Sequence, residues 1–448
     1  MNNIISYAET ALDSFAVRPF SDVDSLILSC LSFLDIPEDL SDGRTWRGMP
    51  LKELYRAEHF DRLFSVTFAP DRTKQLLTAV AASPRFRDVK VMNYVSRLDE
   101  AQEKQFSAMT FRLAPRLSYI AFRGTDGTVV GWKEDFNMAF RSPIPSQEEA
   151  IRYLTTAGRH CPGTILLGGH SKGGNLAVYA AVRVPAPVQG RITAVYSNDG
   201  PGFHPDFLRR TEYLRMEPKI LSIVPKSSIV GMLLEHSADY TVVDSDQLGF
   251  FQHDGFSWQV KGREFVKLGQ VNPQVAVNDR ELRQWLLERP VEQREKFVDA
   301  LFDVLSASGA TTLSDLKADS FGAAVAAIRA MQDLDKETRE GLVSFAGLLF
   351  KGNLRLVYGE LREETEGRTD QLKENLRQTL EETGRRAEET GDRLKESIRQ
   401  ALEETGRRAE EKTEQLKESI RQTLEETEKK TEEAVRRLGL KKDRDGDI

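Results

Sequence analysis

The stretch GTILLGGHSKGGNLAVYAAVRV, residues 163–184, decides the fold of this chain. It begins with a short apolar run typical of a buried strand and ends with NLAVYAAVRV, which favours a helix. Between them lies Gly169-His170-Ser171-Lys172-Gly173, a G-x-S-x-G motif. A nucleophile on a strand-to-helix turn needs glycines two residues before and after it, so that strand and helix can approach closely. The stretch therefore predicts a nucleophile elbow with Ser171 above a sheet edge, against the alternative of a glycine-rich turn with an incidental serine.

Short apolar runs on both sides of this stretch extend the strand–helix pattern. They are LSYIAFRG (117–124), ITAVYSND (192–199), KILSIVP (219–225) and YTVVDSD (240–246). Strands that alternate with helical segments predict a mainly parallel sheet. We therefore expect an α/β fold with a sheet flanked by helices, preceded over residues 1–115 by mixed structure that includes a helix in SLILSCLSFL.

A second candidate site segment lies upstream, where SYIAFRGTDGTVVGWKEDF runs from a strand into a loop at Thr125. Acyl transfer needs two donors for the developing oxyanion. The N–H of Lys172 is one candidate, and the N–H and hydroxyl of Thr125 are the other. For Arg123 and Asp135 in the same segment we expect an ion pair that holds the loop.

The two blocks IAFRGT…W…D and GGHSKGGNLA together resemble the class 3, lipase-like branch of the α/β-hydrolase superfamily. Within that branch the chain is most similar to the bacterial Mbeg-like family of unknown function. The resemblance covers residues 1–275. It implies an α/β-hydrolase fold, a serine hydrolase acting on esters or lipids, Ser171 as nucleophile, and Thr125 with Lys172 as the oxyanion hole.

The catalytic base should follow Ser171 along the chain, because such enzymes order serine, acid and histidine in that sequence. The three histidines after residue 171 are His204, His236 and His253. His204 comes early, and His236 lies among polar residues at a helix end. We favour His253, which lies in GFFQHDGFSW after the last strand, flanked by aromatic residues suited to wall an acyl pocket.

The acid is displaced from its usual place. Class 3 lipases carry an aspartate where this chain has Ser228, in SIVPKSSIVG. The nearest replacement is Asp199, at the end of the preceding strand, where it could orient an imidazole. The alternative for Asp199 is a turn-forming residue before Gly200 and Pro201. Asp244 and Asp246 are weaker candidates.

The C-terminal part of the chain differs in kind. Residues 276–360 lose the strand pattern and predict a helical extension or lid. LKENLRQTLEETGRRAEETGDR (372–393) then recurs twice, at 394–415 and 416–437, as a 22-residue repeat. Because the repeat is two 11-residue units, it keeps one thin apolar stripe on a helix over residues 361–440. We expect a disordered tail at 441–448.

The composition excludes several classes of function. A net charge of -7 argues against nucleic-acid binding. The two cysteines have no metal spacing and suggest a cytoplasmic protein, and no secretory signal or membrane-spanning run is expected. We expect no cofactor or metal, an ester or lipid substrate, and self-association, peripheral membrane contact or plain solvation for the repeat helix. The competing function is an inactive hydrolase-fold scaffold with a coiled-coil or lipid-surface tail.

Overall fold

A nine-stranded sheet organises the chain in the computed structural model, which describes residues 2–41, 46–138, 140–228, 230–231, 234–235, 239–247, 249–271 and 290–306, together with Thr338, Glu418 and Arg421. The chain divides into two compact units, Met1–Leu349 and Phe350–Ile448, and every element given below lies in the first unit. The strands are β1 (Met49–Pro50), β2 (Lys90–Asp99), β3 (Lys104–Ala114), β4 (Leu117–Phe122), β5 (Thr164–His170), β6 (Ile192–Asn198), β7 (Ile220–Pro225), β8 (Tyr240–Val243), β9 (Val260–Lys261), β10 (Glu264–Phe265) and β11 (Lys267–Leu268).

The sheet has the order β1-β2-β3-β4-β5-β6-β7-β8-β11, and β9 and β10 form a separate ribbon. Strands β4 to β8 run parallel to one another. At one side of this group β1, β2, β3 and β4 pair antiparallel in that order, and at the other side β11 pairs antiparallel with β8. The five strands expected from sequence are β4 to β8, which confirms the α/β prediction. Since all five end at the same edge, the loops that follow them meet there.

Strands β2 and β3 were not foreseen from sequence. Strand β3 is buried on both faces over most of its length and has polar residues at buried positions, among them Gln105, Ser107 and Thr110, so its apolar residues do not mark one buried face. A bulge between Met92 and Val95 breaks the register of β2 as well. The pattern that normally identifies a half-buried strand is therefore absent from both.

Helices cover both faces of the sheet. They are α1 (Ile4–Thr10), α2 (Asp22–Leu31), α3 (Glu38–Ser41), α4 (Phe60–Leu63), α5 (Pro70–Ala82), α6 (Val129–Asn137), α7 (Pro145–His160), α8 (Lys172–Arg183), α9 (Ala186–Gln189), α10 (Pro205–Leu208), α11 (Thr211–Met216) and α12 (Val291–Ser306). Side chains alternate between the faces along β4: Tyr119 joins the core under α2 and α5, and Ile120 joins the core under α7 and α8. Two cores therefore enclose the sheet.

Part of the predicted helical extension is seen in α12, which contacts α6 through a Phe136–Phe302 ring pair with centroids 5.6 Å apart and a Lys133–Asp299 ion pair of 2.8 Å. The remainder of the extension predicted over 276–360, the repeat helix predicted over 361–440 and the tail at 441–448 lie outside the described residues, apart from the three single residues named above. Within the described part of the chain, no helix is both long enough and apolar enough to cross a membrane.

Candidate active site

Ser171 lies on a sharp turn between β5 and α8. Its backbone has φ 59° and ψ -133°, a left-handed conformation that is unfavourable for a residue with a side chain. Glycine is required on both sides: a Cβ on Gly169 would overlap the backbone of Gly173, and a Cβ on Gly173 would overlap the carbonyl of Phe122. The motif thus folds as the strained turn that the sequence predicts, at the carboxyl edge of the sheet.

Asp199 and His253 meet at the same edge. Asp199 follows β6, is fully buried and also has a positive φ, of 51°. Its Oδ2 lies 2.6 Å from Nδ1 of His253. The main chain joins this pair to the turn, because the Ser171 N–H donates to the carbonyl of Asn198 at 2.9 Å. Asp199 and His253 are 54 residues apart in the chain, and the loops after β6 and β8 bring them together at this edge.

Ser228 has a different role from the acid whose place it takes. It lies in the loop after β7 and its hydroxyl donates to Oδ1 of Asp199. The Asp199 N–H donates to the carbonyl of Ile223 on β7 at 2.8 Å. The Asp199 carboxylate is therefore held from two sides, by Ser228 and by His253. A carboxylate after β6 can thus contact the histidine although the loop after β7 has a serine at the position expected for the acid.

The loop that carries His253 consists of two 3₁₀ turns, Gly249–His253 and Gly255–Ser257. His170 fixes it: the Nε2–H of His170 donates to the carbonyl of His253 at 2.7 Å, and the two rings lie 4.6 Å apart. Burial, and then the neighbouring His253, lower the pKa of His170 to about 3, so it is a neutral donor. The sequence reasoning passed over His170, although it lies inside the G-x-S-x-G motif.

The aromatic residues near His253 do not all wall a pocket as expected. Phe256 and Trp258 are buried in the core beneath α2, and the Trp258 indole N–H donates to the carbonyl of Gln252 at 2.9 Å. This part of the expectation is wrong, because both rings are taken up by packing. Phe251 is 63% exposed.

The alternative site residues that the structure describes make other contacts. The Nε2–H of His204 donates to the carbonyl of Met138 at 2.9 Å, and His236 lies outside the described residues. Asp244 accepts from the N–H of Ser245. Asp246 accepts from the side chain of Gln247.

The loop after β4 packs directly against the turn. A Cβ on Gly124 would lie 2.5 Å from the carbonyl oxygen of His170 and 3.2 Å from Cβ of Ser171, so there is no room for a side chain between this loop and the turn. Within the described residues, neither the N–H of Thr125 nor that of Lys172 has an acceptor. The hydroxyl of Thr125 donates to Oδ2 of Asp135. Of the donors proposed at Thr125, the backbone N–H is therefore the one left available.

The ion pair expected between Arg123 and Asp135 is not formed. Arg123 instead contacts Asp126 at 3.1 Å. Asp135 lies on α6, where it accepts from Thr125 and its Oδ1 is 3.7 Å from Nζ of Lys172. The reason is geometric, since Asp126 is only three residues along the same loop.

The side chain of Lys172, which was not foreseen as functional, is fully buried beside the turn. Its Nζ donates to the carbonyl and side-chain oxygens of Gln105 at 3.0 and 2.8 Å and to Oε2 of Glu134 at 3.1 Å. Glu134 also accepts from the N–H and hydroxyl of Ser146. Burial raises the pKa of Asp135 to about 6, although the Lys172 charge and the Thr125 hydrogen bond lower it. One ammonium group thus faces two carboxyl groups.

A metal is not suggested by the described residues, in which no group of three or more His, Cys, Asp or Glu side chains is arranged to hold one. The arrangement instead brings together a strained serine, an imidazole–carboxylate pair and two backbone donors.

A family model described as Mbeg1-like matches residues 80–303, which are 224 of the 448 residues. No curated protein matches the chain.

Solved lipase structures resemble it distantly. The native Rhizomucor miehei lipase propeptide complex is 16% identical with a TM-score of 0.29, over 49% of this chain and 66% of that one. The chain therefore spans just under two thirds of that lipase. A fungal lipase–inhibitor complex is 16% identical with a TM-score of 0.33, over 50% and 78%. The M37 lipase is 14% identical with a TM-score of 0.30, over 48% and 70%. At such values, individual residue roles rest on the geometry of this chain alone.

Proposed function

The chain belongs to the Mbeg1-like family, and from this premise we propose that it is a serine hydrolase of carboxylic esters that forms an acyl-enzyme on Ser171. The observation that carries the proposal is the 2.6 Å contact between His253 and buried Asp199 at the sheet edge where the Ser171 turn ends. A strained serine and an imidazole oriented by a carboxylate, at one edge of a sheet, are the groups that nucleophilic catalysis by a hydroxyl requires.

In the proposed reaction, Oγ of Ser171 attacks the acyl carbonyl while His253 takes its proton. The hydrogen bond from Nδ1–H to Asp199 leaves Nε2 as the basic nitrogen and stabilises the imidazolium that forms. His253 returns the proton to the leaving alcohol, and an ester now joins the acyl group to Ser171. Water, deprotonated by His253, then releases the carboxylic acid and restores the hydroxyl of Ser171.

The developing oxyanion would accept from the N–H groups of Thr125 and Lys172. Both are without acceptors in the described part of the chain, and Lys172 starts α8, where the N-terminal N–H groups point outward. Two such donors suit a negative oxygen that exists only in the transition state.

A lipid-like substrate is favoured by the resemblance of the two motif blocks to class 3 lipases. The exposed apolar ring of Phe251, two residues before His253, is compatible with it. The competing scaffold hypothesis rested on Ser228 at the expected acid position. It loses that support, since Ser228 donates to Asp199.

Covalent labelling of the full chain with a fluorophosphonate tests the proposal. We expect the wild type to be phosphonylated at Ser171 and to hydrolyse p-nitrophenyl esters, and Ser171→Ala to lose both labelling and about 10⁴-fold or more of turnover. Ser65→Ala, a change at an exposed serine outside the site, is the matched control and should behave as wild type. Labelling that persists in Ser171→Ala would reject the assignment.

For the whole chain we propose a hydrolase domain at 1–275, a helical extension at 276–360, a repeat helix at 361–440 and a short tail, in a reducing compartment suited to the buried thiols of Cys30 and Cys161. The repeat helix would self-associate or contact a membrane surface. Sedimentation and flotation with phosphatidylcholine vesicles, comparing the full chain with one ending at residue 360, test this. If truncation alters neither mass nor vesicle binding, the helix has neither role.

A further inference from the structure

We infer that the side chain of Lys172 is a positioning residue for the oxyanion loop: its buried ammonium group ties the serine turn to the helix that holds Thr125. This inference rests on the proposed function. It goes beyond that function because the reaction uses only the backbone N–H of Lys172.

Lys172 follows Ser171 directly and begins α8, so its backbone is fixed by the strained turn. Its side chain is fully buried, which is rare for lysine unless the charge is paired. Burial of this charge costs desolvation free energy, and an apolar side chain of similar size would fill the same space at a lower cost. Packing alone therefore does not explain a lysine beside the serine.

The Lys172 ammonium group joins two other elements, because it donates to Gln105 on β3 and to Glu134 on α6. Glu134 is held in turn by Ser146 at the start of α7 and by the N–H of Gln105. Helix α6 is therefore linked to β3 and to α8 through one positive charge.

Helix α6 is also linked to Thr125, which carries one of the proposed oxyanion donors. Asp135, the neighbour of Glu134, accepts the hydroxyl proton of Thr125 and lies 3.7 Å from the ammonium group. This hydrogen bond anchors the Thr125 side chain to α6, and the Thr125 N–H has no acceptor among the described residues. Lys172 thus offers one proposed oxyanion donor from its backbone and orients the other through Asp135.

The charges around Asp135 make this arrangement sensitive to pH. It is faced by Lys172 from α8, by Glu134 from its own helix and by His253 from the loop after β8. Of these, Lys172 and His253 favour the ionised carboxyl and Glu134 opposes it. Removal of the lysine charge should therefore raise the pKa of Asp135, so that the charged acceptor, which binds the Thr125 hydroxyl more strongly than a neutral carboxyl group does, is lost at a higher pH.

The test compares the full-length wild type with Lys172→Met and with the double variant Lys172→Met/Glu134→Gln, using a p-nitrophenyl ester. Lys172→Met keeps the backbone N–H but leaves Glu134 without its counter-ion, so it could fail through folding. The double variant removes both charges and avoids a lone buried carboxylate. We expect kcat of the double variant to fall by about 10- to 100-fold with KM within about threefold. The acid limb of its kcat profile should move to higher pH, because the Lys172 charge affects the pKa of Asp135 more than the opposing Glu134 charge does.

Arg85→Met/Asp24→Asn, which neutralises a fully buried pair in the N-terminal helical layer, is the matched control. It should leave kcat and the acid limb unchanged. A double Lys172→Met/Glu134→Gln variant with wild-type kcat and an unmoved acid limb would overturn the inference while the proposed function stands. A wild type that neither labels at Ser171 nor turns over the ester would overturn the proposed function, and the inference with it.

Discussion

Among the described residues, the buried ion pair Arg85–Asp24 and the charged cluster around buried Lys172 differ in how well their charges are matched. In the N-terminal layer, Arg85 donates to both oxygens of Asp24, at 2.8 and 2.6 Å, and to the carbonyls of Asp13, Arg18 and Pro19. Every nitrogen of the guanidinium group has an acceptor. The Arg85 pKa is raised, because the hydrogen bond and charge of Asp24 outweigh the burial that would lower it.

Beside Ser171, one lysine serves two carboxyl groups. Glu134 is saturated with hydrogen bonds, whereas Oδ1 of Asp135 is buried without a hydrogen-bond partner among the described residues. We call the Arg85–Asp24 pair the balanced cluster and the group of Lys172, Glu134 and Asp135 the unbalanced cluster. In the balanced cluster, complete pairing offsets the desolvation cost and suits a structural role. The unbalanced one is unfavourable for stability and is placed where the proposed reaction occurs, as strained or perturbed groups in proteins often are.

The largest effect that separates the two regions is expected on the catalytic side, at Asp199. Asp199→Asn should lower kcat for ester hydrolysis by roughly 10³- to 10⁴-fold, because an amide cannot stabilise the imidazolium or enforce its tautomer. Ser228→Ala is the matched change, since it removes one hydrogen bond to the same carboxyl group and keeps the contact with His253. It should cost about tenfold at most. Equal small effects from both would mean that Asp199 is not the acid.

The balanced cluster should respond in the opposite way, with a loss of stability and no loss of chemistry. Arg85→Met leaves the Asp24 carboxylate buried without its counter-ion, which should lower the free energy of unfolding by about 3–5 kcal/mol. Urea denaturation measures this, and kcat per folded molecule should equal that of the wild type. A variant of unchanged stability would show that complete pairing at Arg85 contributes little.

The elements nearest the motif were the most predictable from sequence. Strands β4 to β8, α8 and the turn at Ser171 follow local patterns: apolar runs, helix formers and two glycines at fixed spacing. The strands β2 and β3 were not predictable in this way. On β3, Gln105, Ser107 and Thr110 are buried, so polar residues do not mark an exposed face, and β2 has a bulge between Met92 and Val95. Gln105 is paired by Lys172 and Glu134, and Thr110 by Tyr153. These are tertiary contacts that the sequence does not show.

The site shows the same division. Chain order and strand ends singled out Asp199 and His253 as candidates, but sequence cannot say that Ser228 donates to Asp199 or that His170 holds the His253 loop. Those contacts depend on where separate loops meet. The expected Arg123–Asp135 pair was wrong for this reason: attraction of opposite charges is easily inferred from sequence, whereas competition from Asp126 depends on the shape of the loop.

A smaller effect should reveal the unbalanced charge directly. Because burial raises the Asp135 pKa to about 6, well above its ordinary 3.8, its contribution to stability is fully present below the unfolded pKa. That contribution is lost as the pH rises through 6, by up to about 3 kcal/mol. Asp135→Asn, which retains an acceptor for Thr125, should therefore raise the free energy of unfolding at pH 8 and have little effect at pH 4. A gain that is the same at both pH values would show that ionisation of Asp135 is not its cause.

The smallest effect is expected at His170, which links the serine turn to the loop of the proposed base. His170→Phe keeps a flat ring against His253 and Trp258 but removes the N–H that donates to the His253 carbonyl. The unsatisfied carbonyl and looser loop should lower kcat by roughly tenfold with little change in KM, since a hydrogen bond of this kind is worth about 1 kcal/mol.

His160→Phe is the matched control, because His160 also stacks on an aromatic ring, that of Trp46 at 4.2 Å, and lies on the exposed end of α7. It should leave kcat unchanged. Since His170 is already neutral, its removal should not move the acid limb of the pH profile, in contrast to loss of the Lys172 charge. A shifted limb in His170→Phe would mean that this ring affects the ionisation of the site rather than the position of the loop, and the pH-sensitive part of the molecule would then extend beyond the cluster around Lys172.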